Sequence, residues 1–212
     1  MNDDLLNILK YNRDQLISEN DPFTEERYDQ MSLYLPVGKI TVLDVGCGTG
    51  RGGGKIKKNR PDATIIGMDC VPERIEKLDK KIYQNNIVSF TENIKLEERS
   101  IDAIVAGEFL EHVPPKQIQD TLCEFFRILK LGGVFCMTTP NPRYLRNRIW
   151  NRSVLTDPAH VTQHYPEILK KRLMEIGFSN IAIRGSGKVS RYLGDSFPLS
   201  FYGSYLLKAV KW

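Results

Sequence analysis

Three histidines, His112, His160 and His164, and a glycine-rich loop flanked by carboxylates hold most of the reactive potential of this sequence. The loop reads Val42-Leu43-Asp44-Val45-Gly46-Cys47-Gly48-Thr49-Gly50. An apolar run leads into alternating glycines, which let a backbone turn sharply and a ligand approach closely. In an open α/β sheet, ligands bind beyond the carboxyl ends of the strands, so this loop predicts a cofactor site.

Three cofactors compete for such a loop. A nucleotide phosphate in a P-loop needs GxxxxGK followed by Ser or Thr. Gly54-Lys55 is present, but Thr49 and Ile56 occupy the first and last positions of that pattern. A dinucleotide is compatible with GxGxxG at Gly48, Gly50 and Gly53, with Asp69 further on. Asp44, however, would stand close to a pyrophosphate and repel it. S-adenosylmethionine carries an ammonium and a sulfonium and no phosphate. Asp44 can pair with its methionine portion directly or through water. Asp69 can accept hydrogen bonds from ribose hydroxyls. The two aspartates, rather than the glycines, discriminate among the three.

The loop resembles motif I of the class I S-adenosylmethionine-dependent methyltransferases. Asp69 falls where that family carries its ribose-binding acid. Asp102–Val113, with Leu110-Glu111-His112-Val113 inside it, resembles the family's fourth-strand motif. Leu129-Lys130-Leu131-Gly132-Gly133 is similar to its LKPGG turn, with Leu131 in place of proline. The resemblance spans residues 38–140. It implies a doubly wound α/β fold, Rossmann-like, with a seven-stranded, mostly parallel sheet whose last strand is reversed. It implies that Asp44, Gly46, Cys47, Gly48 and Gly50 line the methionine end, and that Asp69 holds the ribose. Cys70 and Val71 would flank the adenine, and Glu108 would lie near the cofactor's amino-acid end. Either Glu92 or Asn93 would stand for the acid that the family carries on the adenine side. The run Gly52-Gly53-Gly54 is unusual and weakens a helix start by about 1 kcal/mol per glycine.

Methyl transfer is a displacement at the sulfonium carbon, and alignment supplies much of its acceleration. A hydroxyl acceptor gains from a base that titrates near neutrality, which histidine provides. His160 and His112 are the candidates for base or acceptor contact, and no metal is assigned. Thr139-Pro140-Asn141-Pro142, Asp157–Val161, Tyr165–Leu169 and Gly177-Phe178 resemble methyltransferases of glycan and lipid-linked sugar biosynthesis. That implies a small-molecule acceptor, a sugar or glycan-precursor hydroxyl or carboxyl. Arg143, Arg146, Arg148 and Arg152, in a stretch without acids, would grip a phosphate on it. An RNA methyltransferase and a non-catalytic cofactor-binding protein are the alternatives. Nucleic acid is the less favoured partner, since no NPPY-type motif, cysteine-nucleophile motif or RNA-binding module is present.

These residues need elements to position them. Short apolar runs at 39–45, 64–68, 88–91, 102–106 and 134–138 alternate with helical patterns, which predicts a parallel sheet covered on both faces. Pro72–Tyr83, Pro114–Leu129 and Pro166–Ile176 read as helices. Residues 181–184 and 205–210 read as closing strands. Residues 1–37 read as an N-terminal helical extension, with a stripe of Leu5, Leu6, Ile8, Leu9, Leu16 and Ile17. Residues 38–212 form the catalytic domain, with an irregular acceptor-side insertion at about 140–165. Phe197–Tyr202 is apolar and suits pocket cover, a homodimer contact or a lipid contact. With 212 residues, 26% of them charged, and a net charge of +4, the chain has ordinary globular composition. Four cysteines without a CxxC pair, no signal-peptide core and no transmembrane run suggest a reducing cytoplasm.

Overall fold

The computed structural model describes residues 3–14 and 21–212. Seven strands form one sheet: β1 (Thr41–Val45), β2 (Thr64–Asp69), β3 (Ile87–Val88), β4 (Ile101–Gly107), β5 (Leu129–Pro140), β6 (Phe178–Ser186) and β7 (Ser204–Lys211). Their order is β3-β2-β1-β4-β5-β7-β6. The first five pair in parallel, and β7 runs antiparallel to both β5 and β6. The expected doubly wound sheet with a reversed last strand is therefore present.

The helices are α1 (Asp3–Asp14), α2 (Thr24–Ser32), α3 (Arg51–Asn59), α4 (Pro72–Glu76), α5 (Ile118–Ile128), α6 (Leu145–Ile149), α7 (Pro166–Ile176) and α8 (Ser190–Leu193). Successive strand residues point to opposite faces. Leu43, Val45, Ile104 and Ala106 accordingly join Leu122 and Phe125 of α5 and Leu169 and Leu173 of α7 in one core. Val42, Ala103 and Val105 join Tyr28 and Met31 of α2 and Ile56 of α3 in the other. α7 runs as its pattern predicts, from Pro166 at its first turn to Gly177 in left-handed conformation at its end.

Some expectations change. α4 stops at Glu76, well before Tyr83, because Tyr83 turns inward to bond with Asp44 beneath the glycine loop. β5 starts at Leu129, so Gly132-Gly133 forms a bulge inside the strand rather than the end of a helix. Between 140 and 165 the chain has α6 and a 3-10 turn, Val154–Thr156. Buried Asn141 fastens this segment: its Nδ2 donates to the carbonyls of Leu199 (2.7 Å) and Tyr202 (3.0 Å). Leu16 and Ile17 lie outside the described residues, as do the side chains of Leu5 and Ile8. Leu6 of the same stripe is exposed. Among the described residues, no helix is long and apolar enough to cross a membrane.

Candidate active site

A cleft of about 1430 Å³ opens where β1, β2, β3 and β4 end, and its walls follow the strand order. Gly46, Cys47 and Gly48 come from the loop after β1, and Asp69 and Cys70 from the end of β2. Ser89, Phe90 and Thr91 come from the turn after β3, and Glu108, Phe109, Glu111 and His112 from the segment after β4. Asp157, Pro158 and His160 close one side. Tyr11 and Asn12 of α1 and Arg27 and Tyr28 of α2 close another.

Eight of the expected site residues meet here: Gly46, Cys47, Gly48, Asp69, Cys70, Glu108, His112 and His160. Asp69 is buried. Its Oδ2 accepts from the Gly48 N–H (3.0 Å) and its Oδ1 from the Val71 N–H (2.9 Å), which ties the two cleft-lining loops together. Burial, reinforced by the Asp69 charge, pushes the Cys70 thiol up to about 12, and burial with the Asp44 and Asp69 charges pushes Cys47 higher still. Neither cysteine is a thiolate nucleophile at neutral pH.

Four expected residues stand elsewhere. Asp44 is fully buried under the loop, where Oδ1 accepts from Tyr28 Oη (2.7 Å) and Oδ2 from Tyr83 Oη (2.6 Å). It does not line the cleft, and both its oxygens are engaged. Burial pushes its carboxyl up to about 6, although the tyrosine hydrogen bonds pull the other way. Gly50 also lies behind the cleft. Its left-handed conformation precedes α3, and a side chain there would meet Leu78 and Tyr83 at 2.9 Å. Glu92 and Asn93 do not line the cleft. β3 is only two residues long, and the chain then turns so that Thr91 buries against Thr121 (2.8 Å). The Ile94 N–H donates to Glu124 (2.9 Å), and between these two anchored residues Glu92 is half-buried and Asn93 exposed.

The Gly52-Gly53-Gly54 run now has a partial cause. A Cβ on Gly52 would stand 2.2 Å from the Tyr28 ring, and one on Gly53 would stand 2.1 Å from Tyr83 Oη. The glycines admit the two tyrosines that hold Asp44. Gly54 has no comparable neighbour.

Other site residues escaped the sequence reading. Arg27 of α2 is buried, pairs with Asp21, and brings Nε to 3.4 Å from Glu108 Oε1. Neither of those two atoms makes a hydrogen bond. Glu108 has a φ of +50°, a conformation costly for a non-glycine residue. Its backbone N–H is tied to the Thr138 carbonyl (3.0 Å) and its Oε2 to Ser204 (3.1 Å). Glu111 is fully buried. Its Oε2 accepts from Thr139 (3.0 Å) and its Oε1 has no partner. Burial, and then the Glu108 charge, raise its carboxyl well above the usual range. Nothing in the stretch around Arg27 marked it for the site, whereas Glu111 lay within a motif already singled out.

His112 and His160 stand edge to face, ring centroids 5.1 Å apart. Nδ1 of His112 is 3.0 Å from the Ala159 carbonyl, and Nδ1 of His160 is 2.9 Å from that of Val154. Facing an acceptor, each Nδ1 carries the proton, which leaves a lone pair on each Nε2. Burial pulls His112 down to about 4, so it is neutral at pH 7. One ligand atom from each of Glu111, His112 and His160 lies within 4.8 Å of the others. This trio can hold a cation, which the sequence reading did not anticipate. His164 lies outside the cleft and bonds to Thr162 (3.0 Å) and the Leu110 carbonyl (3.2 Å).

Residues 42–133 match the family described as "Methyltransferase domain". That match spans 92 of the 212 residues and supports a class I S-adenosylmethionine-dependent methyltransferase, with S-adenosylmethionine as cofactor. Over 122 residues the chain is 33% identical to the mitochondrial ubiquinone biosynthesis O-methyltransferase of Rattus norvegicus, covering 52% of the chain and 33% of that protein. It is 29% identical over 151 residues to a sterol 24-C-methyltransferase of Clavispora lusitaniae, covering 67% of the chain and 39% of that protein. The chain thus spans well under half the length of these two relatives. Its fold matches that of a SAM-dependent methyltransferase from Archaeoglobus fulgidus, with a TM-score of 0.69, 23% identity, and coverage of 88% and 92% of the two chains.

Proposed function

We propose that this methyltransferase transfers a methyl group to a hydroxyl of a small molecule, with the cofactor along β1, β2 and β4 and the acceptor against His112 and His160. The observation that carries the reading is the pairing, in one cleft, of a cofactor-facing edge with two histidines whose Nε2 lone pairs are free of the backbone. Asp69, at the end of β2, takes the ribose. The open backbone at Gly48, where no atom lies within 4 Å of a Cβ position, admits the cofactor closely. The unsatisfied Glu108 Oε1 and Arg27 Nε suit the ammonium and carboxylate of the methionine portion. Gly46, Cys47 and Cys70 complete the wall, and the turn 89–91 takes the adenine side. Asp44 acts from behind, by holding the loop through Tyr28 and Tyr83.

His160 takes the acceptor proton as the carbon–oxygen bond forms and the methyl leaves sulfur. His112 supports its ring edge to face. A sugar or glycan-precursor hydroxyl is one such acceptor. The likeness to proteins named as ubiquinone biosynthesis O-methyltransferases supports an oxygen acceptor. A carboxyl acceptor would need no base.

Glu111 favours a second reading of the same site. Its orphaned, fully buried Oε1 beside two histidines fixed through Nδ1 is the arrangement expected of a ligand set supported by its surroundings. Held by Glu111, His112 and His160, a divalent cation would polarise the acceptor hydroxyl and lower its pKa.

The test is transfer from S-adenosylmethionine to a panel of sugar and phenolic hydroxyls, read as S-adenosylhomocysteine released. His160→Ala is expected to lose about 10²–10⁴-fold in rate while cofactor affinity stays within a few-fold. Loss of activity on chelation, restored by one divalent metal, selects the second reading. Methylation of amines alone, with hydroxyls inert and His160→Ala at full rate, would sink the proposal.

A further inference from the structure

Beyond the cleft, the segment after β5 carries exposed apolar and cationic side chains that the methyl-transfer reading does not use. Ile149 is 67% exposed and Trp150 51%. Leu145 of α6 is exposed as well. Arg146 stacks over the Trp150 ring at 4.2 Å and Arg152 approaches it at 5.6 Å. Arg148 lies between them in sequence, and residues 143–152 contain no acid. A second apolar segment adjoins α6. Asn141 ties it there through the Leu199 and Tyr202 carbonyls, and it exposes Phe197 (47%) and Phe201 (42%), stacked edge to face at 5.1 Å.

We infer that these two segments form a docking surface for an anionic phospholipid bilayer. The charge argument fixes the sign of the partner: a stretch with four arginines and no acid, of which one, Arg143, pairs with Glu167. The apolar residues fix its kind. A tryptophan with leucine, isoleucine and phenylalanine among arginines suits the headgroup–acyl boundary, where apolar bodies bury and guanidinium groups stay with the phosphates. A nucleic acid would use the arginines and an aromatic face, yet exposed Leu145 and Ile149 would gain nothing from it. In the other basic stretch, 51–60, three of the five bases are engaged within the fold. Lys55 binds Asp29 (2.9 Å), Lys57 the Ala63 carbonyl (2.7 Å) and Arg60 the Leu35 carbonyl (3.1 Å). The surface also adjoins the acceptor side of the cleft, since the chain passes from Arg152 to Val154, whose carbonyl holds His160. An acceptor resident in the bilayer would then reach the histidines from the protein's docked face.

Flotation of the full chain with phosphatidylcholine vesicles, and with equimolar phosphatidylcholine and phosphatidylglycerol vesicles, tests the inference. Binding is expected with the anionic vesicles alone and should weaken with added salt. The double variant Ile149→Ser/Trp150→Ser and the double variant Arg148→Glu/Arg152→Glu should each lower vesicle affinity about tenfold or more. Both should keep the wild-type melting temperature and S-adenosylmethionine affinity, which separates failure of this surface from failure of the active-site reading. No flotation with the anionic vesicles would overturn the inference, as would flotation indifferent to both variants. Binding of a single-stranded oligonucleotide, lost in the arginine variant while vesicles are ignored, would replace the bilayer with nucleic acid.

Discussion

Asp44 shows what burial does to a single group. Two tyrosine hydroxyls satisfy its oxygens, yet full burial still lifts its carboxyl from 3.8 to about 6. The folded state therefore holds this proton more tightly than the unfolded chain does. The associated stability is present below pH 4 and is lost as the pH rises through about 6. A shift of this size is roughly 2–3 kcal/mol. Asp44→Asn keeps an acceptor and removes the titration, so its stability relative to the parent should climb between pH 4 and 6 and level off above. Urea midpoints for both proteins across that range check this, and a constant difference would refute it. Glu108 is the other telling residue. Its unsatisfied oxygen beside Arg27 Nε leads to an expected loss of about tenfold or more in S-adenosylmethionine affinity for Glu108→Gln, with Arg27→Ala similar. Calorimetric titration measures both.

At the scale of elements, α2 and α3 are held together through the glycine loop. Tyr28 rises from α2 to Asp44, and Gly52 of α3 lies flat against its ring. Gly52→Ala forces a methyl into that ring and should cost about 1–3 kcal/mol through overpacking. The helix-propensity gain of alanine, about 1 kcal/mol, does not offset it. Tyr28→Phe removes one donor from a buried carboxylate and should cost about 1–3 kcal/mol. Because the two changes act on one contact, the double variant should fall short of their sum. Thermal melts of the three proteins decide this, and a stabilised Gly52→Ala would show that the ring yields freely. The acceptor side rests on a different device. Buried Asn141 fastens the segment after β5 to the turn before β7, so the irregular residues between 140 and 165 owe their place to side-chain hydrogen bonds rather than to a strand or long helix.

For the whole molecule, binding of the cofactor at the edge of the central strands should stabilise the domain as a unit. Cofactor at about 100 times its dissociation constant contributes about 2.7 kcal/mol. For a domain of this size that raises the melting temperature by roughly 5–10 °C. S-adenosylmethionine and S-adenosylhomocysteine should both do so, while NAD and ATP should not. A rise with NAD in place of the adenosyl ligands would contradict the assignment of the cleft.

The sequence by itself determined the sheet, the glycine loop and the cofactor class. Each was written locally: apolar runs of strand length, glycines where the backbone must turn, and an acid at the end of β2. Six of the ten expected cofactor residues line the cleft because each follows directly on a strand end and has little freedom to be elsewhere. Only the tertiary structure decided the role of Asp44, since its tyrosine partners come from positions 28 and 83 and no spacing near the loop announces them. It also put residues 89–91, rather than Glu92 and Asn93, along the cleft, because β3 is too short for its length to be read from pattern. The gathering of Glu111, His112 and His160 was likewise hidden. His160 reaches its partners across a long irregular segment whose course depends on contacts made by Asn141 and Val154, and periodicity carries no information about such a path.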